Sequence, residues 1–84
     1  MKMELKKGHY YKLIWNRGSF IVRAISQVKN ERGIMLDCHT ISMKGFHSLP
    51  KKEWLGVKRQ IFIESGRVES IEIPYHQVIL ECLG

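Results

Sequence analysis

Apolar and polar residues alternate along most of this 84-residue chain, and this pattern limits its fold more than any other feature. A period of two places successive side chains on opposite faces of an extended strand. The pattern is clearest in the segments YKLIW and IMLDCHTI, whose inward-facing residues are predicted to be Tyr11, Leu13, Trp15, Ile34, Leu36 and Cys38. The sequence therefore predicts an all-β protein.

Turn residues divide the chain into six strand-like segments. In SFIVRAISQV apolar residues fall on both faces, with Phe20, Val22, Ala24 and Val28 on one of them, which is typical of a bent strand shared by two halves of a barrel. RQIFIE and RVESIEI are predicted to form a hairpin around Ser65 and Gly66, and VILECL to form a last strand after Pro74.

The length of the chain indicates one domain over residues 1–84. A domain this small buries a modest share of its surface, so a closed sheet or self-association is favoured. The predicted fold is a small SH3-like or Sm-like barrel of five to six antiparallel strands. One short helical turn is expected in its longest connection.

That connection, the insert, runs from Ser42 to Arg59 and is too long for a simple turn. We expect one helical turn in it, with Pro50 early and Gly56 as its stop. Leu55 is expected to plug an open end of the barrel, whereas for Trp54 a buried and an exposed position are both open.

Basic and aromatic residues are interleaved along the insert, against the single acid Glu53. Aromatic faces can stack on bases while cations hold the phosphate backbone. The candidate binding residues in the insert are Lys44, Phe46, His47, Lys51, Lys52, Trp54, Lys58 and Arg59.

Charge is unevenly distributed along the chain, whose formal net charge is +6. Residues 1–59 hold 13 Lys and Arg against 4 acidic residues, and residues 60–84 hold 1 against 4. This favours a polyanionic partner. The sequence predicts a non-enzymatic protein that binds single-stranded nucleic acid, RNA in preference to DNA, without discriminating base edges.

The alternative is a protein-interaction or inhibitor module, of a size also found in phages and mobile elements. It would bind an acidic protein, or form a homo-oligomer through the apolar last segment VILECL at a sheet edge. Both alternatives stay open on the sequence.

Catalysis and cofactor binding are not expected. Cys38 and His39 are adjacent on a strand, so their side chains point to opposite faces, and Glu69 and Glu72 also diverge. No closely spaced Cys or His pair predicts a metal site, and no glycine-rich phosphate loop is present.

Cysteine usage and the absence of long apolar runs indicate a cytoplasmic protein that does not enter a membrane. Cys38 and Cys82 both lie in apolar segments, so two buried free thiols are expected. The segment MKMELKKG is charged and lacks an apolar run of signal length.

The segments LIWNRGSFIVRAISQV, GIMLDC and IEIPYHQVILECL together resemble the bacterial Sm-like RNA chaperone family. The resemblance covers about half of the chain and implies an Sm-like barrel that binds RNA. It places Tyr75 and His76 at a corner where that family has a Tyr/Lys/His binding element, although the Lys is missing here. The insert is longer than in the family, and the family's N-terminal helix is reduced to MKMELKK.

Overall fold

The computed structural model describes residues 5–83, which form five strands and two helices. The strands are β1 (Tyr10–Trp15), β2 (Gly18–Asn30), β3 (Gly33–Lys44), β4 (Lys58–Glu64) and β5 (Glu69–Ile73). The helices are α1 (Lys51–Trp54) and α2 (Tyr75–Leu83). The all-β prediction is confirmed. The segment Met1–Glu4, part of the stretch compared with the Sm-like N-terminal helix, lies outside the described residues.

The five strands form one antiparallel sheet in the order β4-β3-β2-β1-β5. In a flat sheet the outer strands would lie about 19 Å apart, because neighbouring strands are separated by about 4.8 Å. Yet β4 and β5 are joined only by residues 65–68, tightened by hydrogen bonds from the Arg67 and Val68 amides to the Glu64 carbonyl (3.2 and 3.1 Å). The sheet therefore curls into a barrel-like shape.

β4 and β5 lie at opposite edges of the sheet and do not pair with each other over the described residues. The predicted hairpin around Ser65 and Gly66 is therefore wrong. β4 pairs with β3, and β5 pairs with β1. The link between them is a tight turn that crosses from one edge of the curled sheet to the other.

β2 is irregular, as predicted. Its register with β3 shifts by one residue after Ile21 and again after Ala24, and such bulges bend a strand. The second shift reverses the alternation, so Val28, predicted to share a face with Phe20, is instead 70% exposed. Phe20 enters the main core and Ile21 a second cluster, so β2 serves two apolar layers.

The main core lies inside the curl of the sheet. Every strand except β5 contributes buried side chains to it, and Leu5 and Val68 add to it from outside the strands. The largest fully buried residues of the chain include Leu13, Ile34, Leu36, Ile63 and Val22. The inward positions predicted for β1 and β3 are confirmed, with Trp15 partly buried at the margin.

The last apolar segment is the helix α2, not a strand, so the predicted edge pairing through VILECL is wrong. Pro74 immediately precedes the helix and caps it, because its carbonyl accepts hydrogen bonds from the amides of Gln77 and Val78 (3.0 and 3.2 Å). Val78 packs with Ile21 and Ile73 in the second cluster, on the outer face of the sheet. Neither helix within residues 5–83 has the length and hydropathy that a membrane crossing requires.

The two cysteines are free and differ in environment. Cys38 is buried in the main core, as predicted. Cys82 is exposed on α2, so the expectation of two buried thiols is wrong for this residue. The reason is that an apolar run in a helix cannot turn all its side chains to one core.

Candidate functional site

The insert folds back on β3 and is fixed there by backbone hydrogen bonds. The Gly56 amide donates to the Thr40 carbonyl (2.8 Å), and the Thr40 amide donates to the Val57 carbonyl (3.2 Å). The predicted helical turn is confirmed as α1, which Pro50 precedes. Gly56, with a φ of 73°, follows it and reverses the chain.

Aromatic rings from the insert and from the sheet form a cluster at one end of the core. Phe20 stacks on Phe46 and on Trp54, with ring centroids 4.9 and 5.3 Å apart. Trp15 meets Phe20 and Phe46 edge-on, at 5.6 and 5.7 Å. These contacts follow from the preference of aromatic pairs for stacked and edge-to-face geometry.

The insert therefore covers the core, as expected for Leu55, which is partly buried against it. Phe46 and Trp54 are also partly buried and packed on the core. For Trp54, whose position the sequence left open, the structure gives a partly buried one, and the Phe46 ring that was predicted to stack on bases is only partly accessible. His47, by contrast, is exposed.

Arg59 is half-buried and lies over Trp54, with its guanidinium carbon 3.9 Å from the ring centroid. This is the geometry of a cation–π contact. Arg59 was predicted to hold a phosphate backbone. In this structure its cation is placed against the ring instead.

Four of the predicted binding residues meet in one groove of about 410 Å³. Lys44, Phe46, His47 and Lys51 line it, together with Met43, Gly45 and Leu49. Two basic side chains, an imidazole and a partly buried ring thus line the same groove. We call this site the insert groove.

Lys44 also reaches α2. Its Nζ and the Nζ of Lys12 each lie 3.4 Å from a carboxylate oxygen of Glu81. The hydrogen bond from Lys44, and then the charge and hydrogen bond of Lys12, lower the pKa of Glu81. The sequence did not reveal this contact, because Lys44 and Glu81 are 37 positions apart.

His76 lies next to the insert groove. It lines a second pocket, of about 390 Å³, with Lys44, Gln77, Leu80 and Glu81. Lys44 is therefore common to both pockets. The structure brings His76 close to the insert, although α2 is a helix and not the corner of a strand pair.

The other predicted residues lie elsewhere. Lys52 is exposed on α1, and Lys58 is exposed on β4. Tyr75 begins α2 and packs on Tyr10 with ring centroids 5.4 Å apart. The ten candidates thus do not form one site, since they divide between the insert groove, the aromatic cluster, the pocket lined by His76, the exposed side of α1 and the outer face of the sheet.

Comparisons with known proteins add no identity. No protein-family model matches the chain, and searches of the curated proteins and of the solved structures found no match. The resemblance to Sm-like proteins therefore stays a prediction. Over residues 5–83, no group of three or more His, Cys, Asp or Glu is placed to hold a metal ion.

Proposed function

We propose that this protein is a non-enzymatic module that binds single-stranded nucleic acid, RNA in preference to DNA, in the insert groove. The observation that carries the proposal is the groove itself, which exposed Lys44, His47 and Lys51 line together with the partly buried ring of Phe46. The preference for RNA rests on the resemblance to Sm-like proteins alone.

The chemistry of the groove suits a nucleotide. The ring of Phe46 is held on its inner side by Phe20, so its orientation is fixed before any ligand binds. A base stacked on such a ring gains about 1–3 kcal/mol, and the gain does not depend strongly on the base. Lys44 and Lys51 line the groove together with this ring and supply the phosphate contacts, for which Lys44 exchanges its 3.4 Å contact with Glu81.

The test is a titration of a fluorescein-labelled U18 RNA with the variant Lys44→Gln/Lys51→Gln at several salt concentrations. Each phosphate neutralised on a single strand contributes about 0.7 to the slope of log K against log salt. The double variant should therefore lower the slope by about 1.4 and weaken binding on the order of tenfold at 0.1 M salt.

The matched control is Lys29→Gln/Arg32→Gln, which removes the same charge from the β2–β3 turn, at the far end of β2 from the groove. Its slope of log K against log salt should equal that of the wild type, apart from the change that the lower net charge of the whole protein produces. Equal affinities and slopes for the two double variants would rule the proposal out.

A second candidate function, self-association, is favoured by the exposed apolar side chains of α2. Ile79, Leu80 and Leu83 are 43%, 64% and 82% exposed. The occupant we consider is a second copy of the chain, because a symmetric contact places the same exposed side chains of α2 against each other and buries them on both molecules.

Sedimentation equilibrium distinguishes the two functions. Self-association predicts a mass that rises with protein concentration and returns to the monomer in Leu80→Gln/Leu83→Gln. Val28→Gln changes an equally exposed apolar residue outside α2 and is the control. A monomeric mass at all concentrations eliminates this candidate and leaves the nucleic-acid proposal unaffected.

A further inference from the structure

Three basic or titratable side chains and an aromatic one form a row across the outer face of the sheet. Lys58 of β4 pairs directly with His39 of β3. His39 pairs on its other side with Arg23 of β2, and Arg23 pairs with Tyr10 of β1. Directly paired residues project from the same face of a sheet, with Cβ atoms about 5 Å apart. We call these four residues the cross-strand row.

The row faces away from the core. Cys38, the neighbour of His39, and Ala24, the neighbour of Arg23, are buried in the main core, and alternation turns His39 and Arg23 outward. Lys58, His39 and Arg23 are all exposed. The three belong to different strands, so only the sheet register brings them together.

The cations of the row are available to a ligand. Among residues 5–83, neither Lys58, His39 nor Arg23 takes part in an ion pair. The acid nearest along β3 is Asp37, two residues from His39 on the same face; its carboxylate accepts a hydrogen bond from the Ser26 hydroxyl (3.1 Å) and takes part in no ion pair in the part of the chain that the structure describes.

An apolar cleft adjoins the aromatic end of the row. Tyr10 packs on Tyr75, which is 60% exposed, and both rings line a cleft of about 370 Å³. Its other walls are formed by Ile41, Val78, Ile79, Cys82 and Leu83. A cleft of this size takes a small flat molecule, and its walls are mainly apolar and aromatic.

We propose that the cross-strand row and this cleft are a second contact surface for the same single-stranded nucleic acid. Phosphates lie along Lys58, His39 and Arg23, and one base stacks on Tyr75 at the mouth of the cleft. This inference rests on the proposed function for the identity of the partner. It adds Arg23, His39 and Tyr10 to the binding residues.

The geometry selects the class of ligand. From Lys58 to Arg23 the row spans two interstrand spacings, about 10 Å at the backbone, so a chain of phosphates meets each basic side chain in place, whereas one small anion requires both long side chains to bend toward it. An acidic polypeptide would satisfy the cations but offers no regular flat group for Tyr75 and the cleft, whereas a nucleic acid presents a base beside each phosphate.

The experiment compares binding of labelled U18 RNA by three double variants. Arg23→Gln/Lys58→Gln removes two cations from the row, Lys44→Gln/Lys51→Gln removes two from the insert groove, and Lys29→Gln/Arg32→Gln is the control at the β2–β3 turn. We expect the row variant to lose on the order of tenfold in affinity at 0.1 M salt and about 1.4 in salt slope, with the control near the wild type.

A second readout tests the stacking. Tyr75→Ala should weaken binding about fivefold or more at every salt concentration, and Tyr75→Phe, which keeps the ring, should bind like the wild type. Backbone amide NMR signals of β2 and β3 next to Arg23 and His39 should shift when U18 RNA is added. The same spectra show that each variant keeps its fold.

The outcomes separate the two proposals. A row variant that binds like the control, while the groove variant is weakened, overturns this inference and leaves the proposed function standing. A wild-type protein that binds no U18 RNA overturns both. Displacement of the RNA from the row by poly-glutamate at equal charge concentration assigns the surface to an acidic protein and overturns the nucleic-acid assignment.

Discussion

The guanidinium carbon of Arg59 lies 3.9 Å from the centroid of the Trp54 ring, and the same ring stacks on Phe20 with centroids 5.3 Å apart. Stacking on Phe20 and the guanidinium of Arg59 thus engage the Trp54 ring within the molecule, and Trp54 closes one end of the core. Phe46 stacks on Phe20 and meets Trp15 edge-on, but it also lines the insert groove, whereas Trp54 is not among the residues that line it.

Replacing Trp54 should affect folding before it affects binding. Trp54→Ala removes the stack on Phe20 and the seat of Arg59, so we expect the free energy of unfolding to fall by about 2–3 kcal/mol, less than for a fully buried Trp. Urea denaturation measures the change. Lys52→Ala, on the exposed side of the same helical turn, should stay within about 0.5 kcal/mol of the wild type. A free energy of unfolding of Trp54→Ala equal to that of the wild type would contradict this packing role.

Gly45 should tolerate no side chain. Its φ is 93°, and a Cβ atom there would lie 2.7 Å from the Gly18 Cα and would also meet the Arg17 carbonyl oxygen. Both obstacles are backbone, so Gly45→Ala should cost more than about 2 kcal/mol of unfolding free energy.

Gly56 is the matched control for Gly45. It has a φ of 73°, but no atom lies within 4 Å of a Cβ built there. Gly56→Ala should therefore cost only the conformational penalty, about 1–2 kcal/mol. Thermal denaturation of the two variants separates the cost of the positive φ, which both share, from the cost of the steric clash with the backbone, which only Gly45→Ala has. Equal melting temperatures would contradict the close approach at Gly45.

Where one face of a strand is buried, alternation alone identified the inward residues. Leu13 in β1 and Leu36 in β3 are 0% exposed, as their positions predict. The turn after Pro50 was also predictable, because Pro and Gly restrict the backbone locally. In β2 the apolar residues on both faces predicted a bent strand, but the position of a bulge depends on the partner strand, so the assignment fails at Val28.

The errors all concern long-range contacts. A continuous apolar run such as VILECL does not distinguish a strand from a helix, and only the fit of Val78 against Ile21 and Ile73 decides it. The strands on either side of Ser65 read as a hairpin because they are close in sequence. The cross-strand row was not found, since Lys58, His39 and Arg23 meet only through the register.

The two thiols should differ sharply in reactivity. Burial, and then the charge of Asp37, raise the pKa of Cys38 to about 12, so its thiolate is scarce near neutral pH. Cys82 is exposed. In the folded protein Ellman's reagent at pH 8 should titrate one thiol rapidly, and none in Cys82→Ser. In urea both thiols of the wild type should react, and rapid reaction of two thiols without denaturant would contradict the buried position of Cys38.

Glu81 should make the free energy of unfolding depend on pH in the acidic range. Lys44 and Lys12 lower its pKa in the folded protein, so its carboxylate stabilises the fold at pH values above the ordinary pKa of a glutamate. This contribution is lost as the pH falls through the lowered pKa of the folded state. The free energy of unfolding of Glu81→Gln should lie below that of the wild type at pH 7, and the difference should shrink toward pH 3.

Glu53→Gln, at an exposed acid on α1, should show no such convergence. Urea denaturation at the two pH values measures both variants, and a constant gap between Glu81→Gln and the wild type would mean that the lysines do not stabilise this carboxylate.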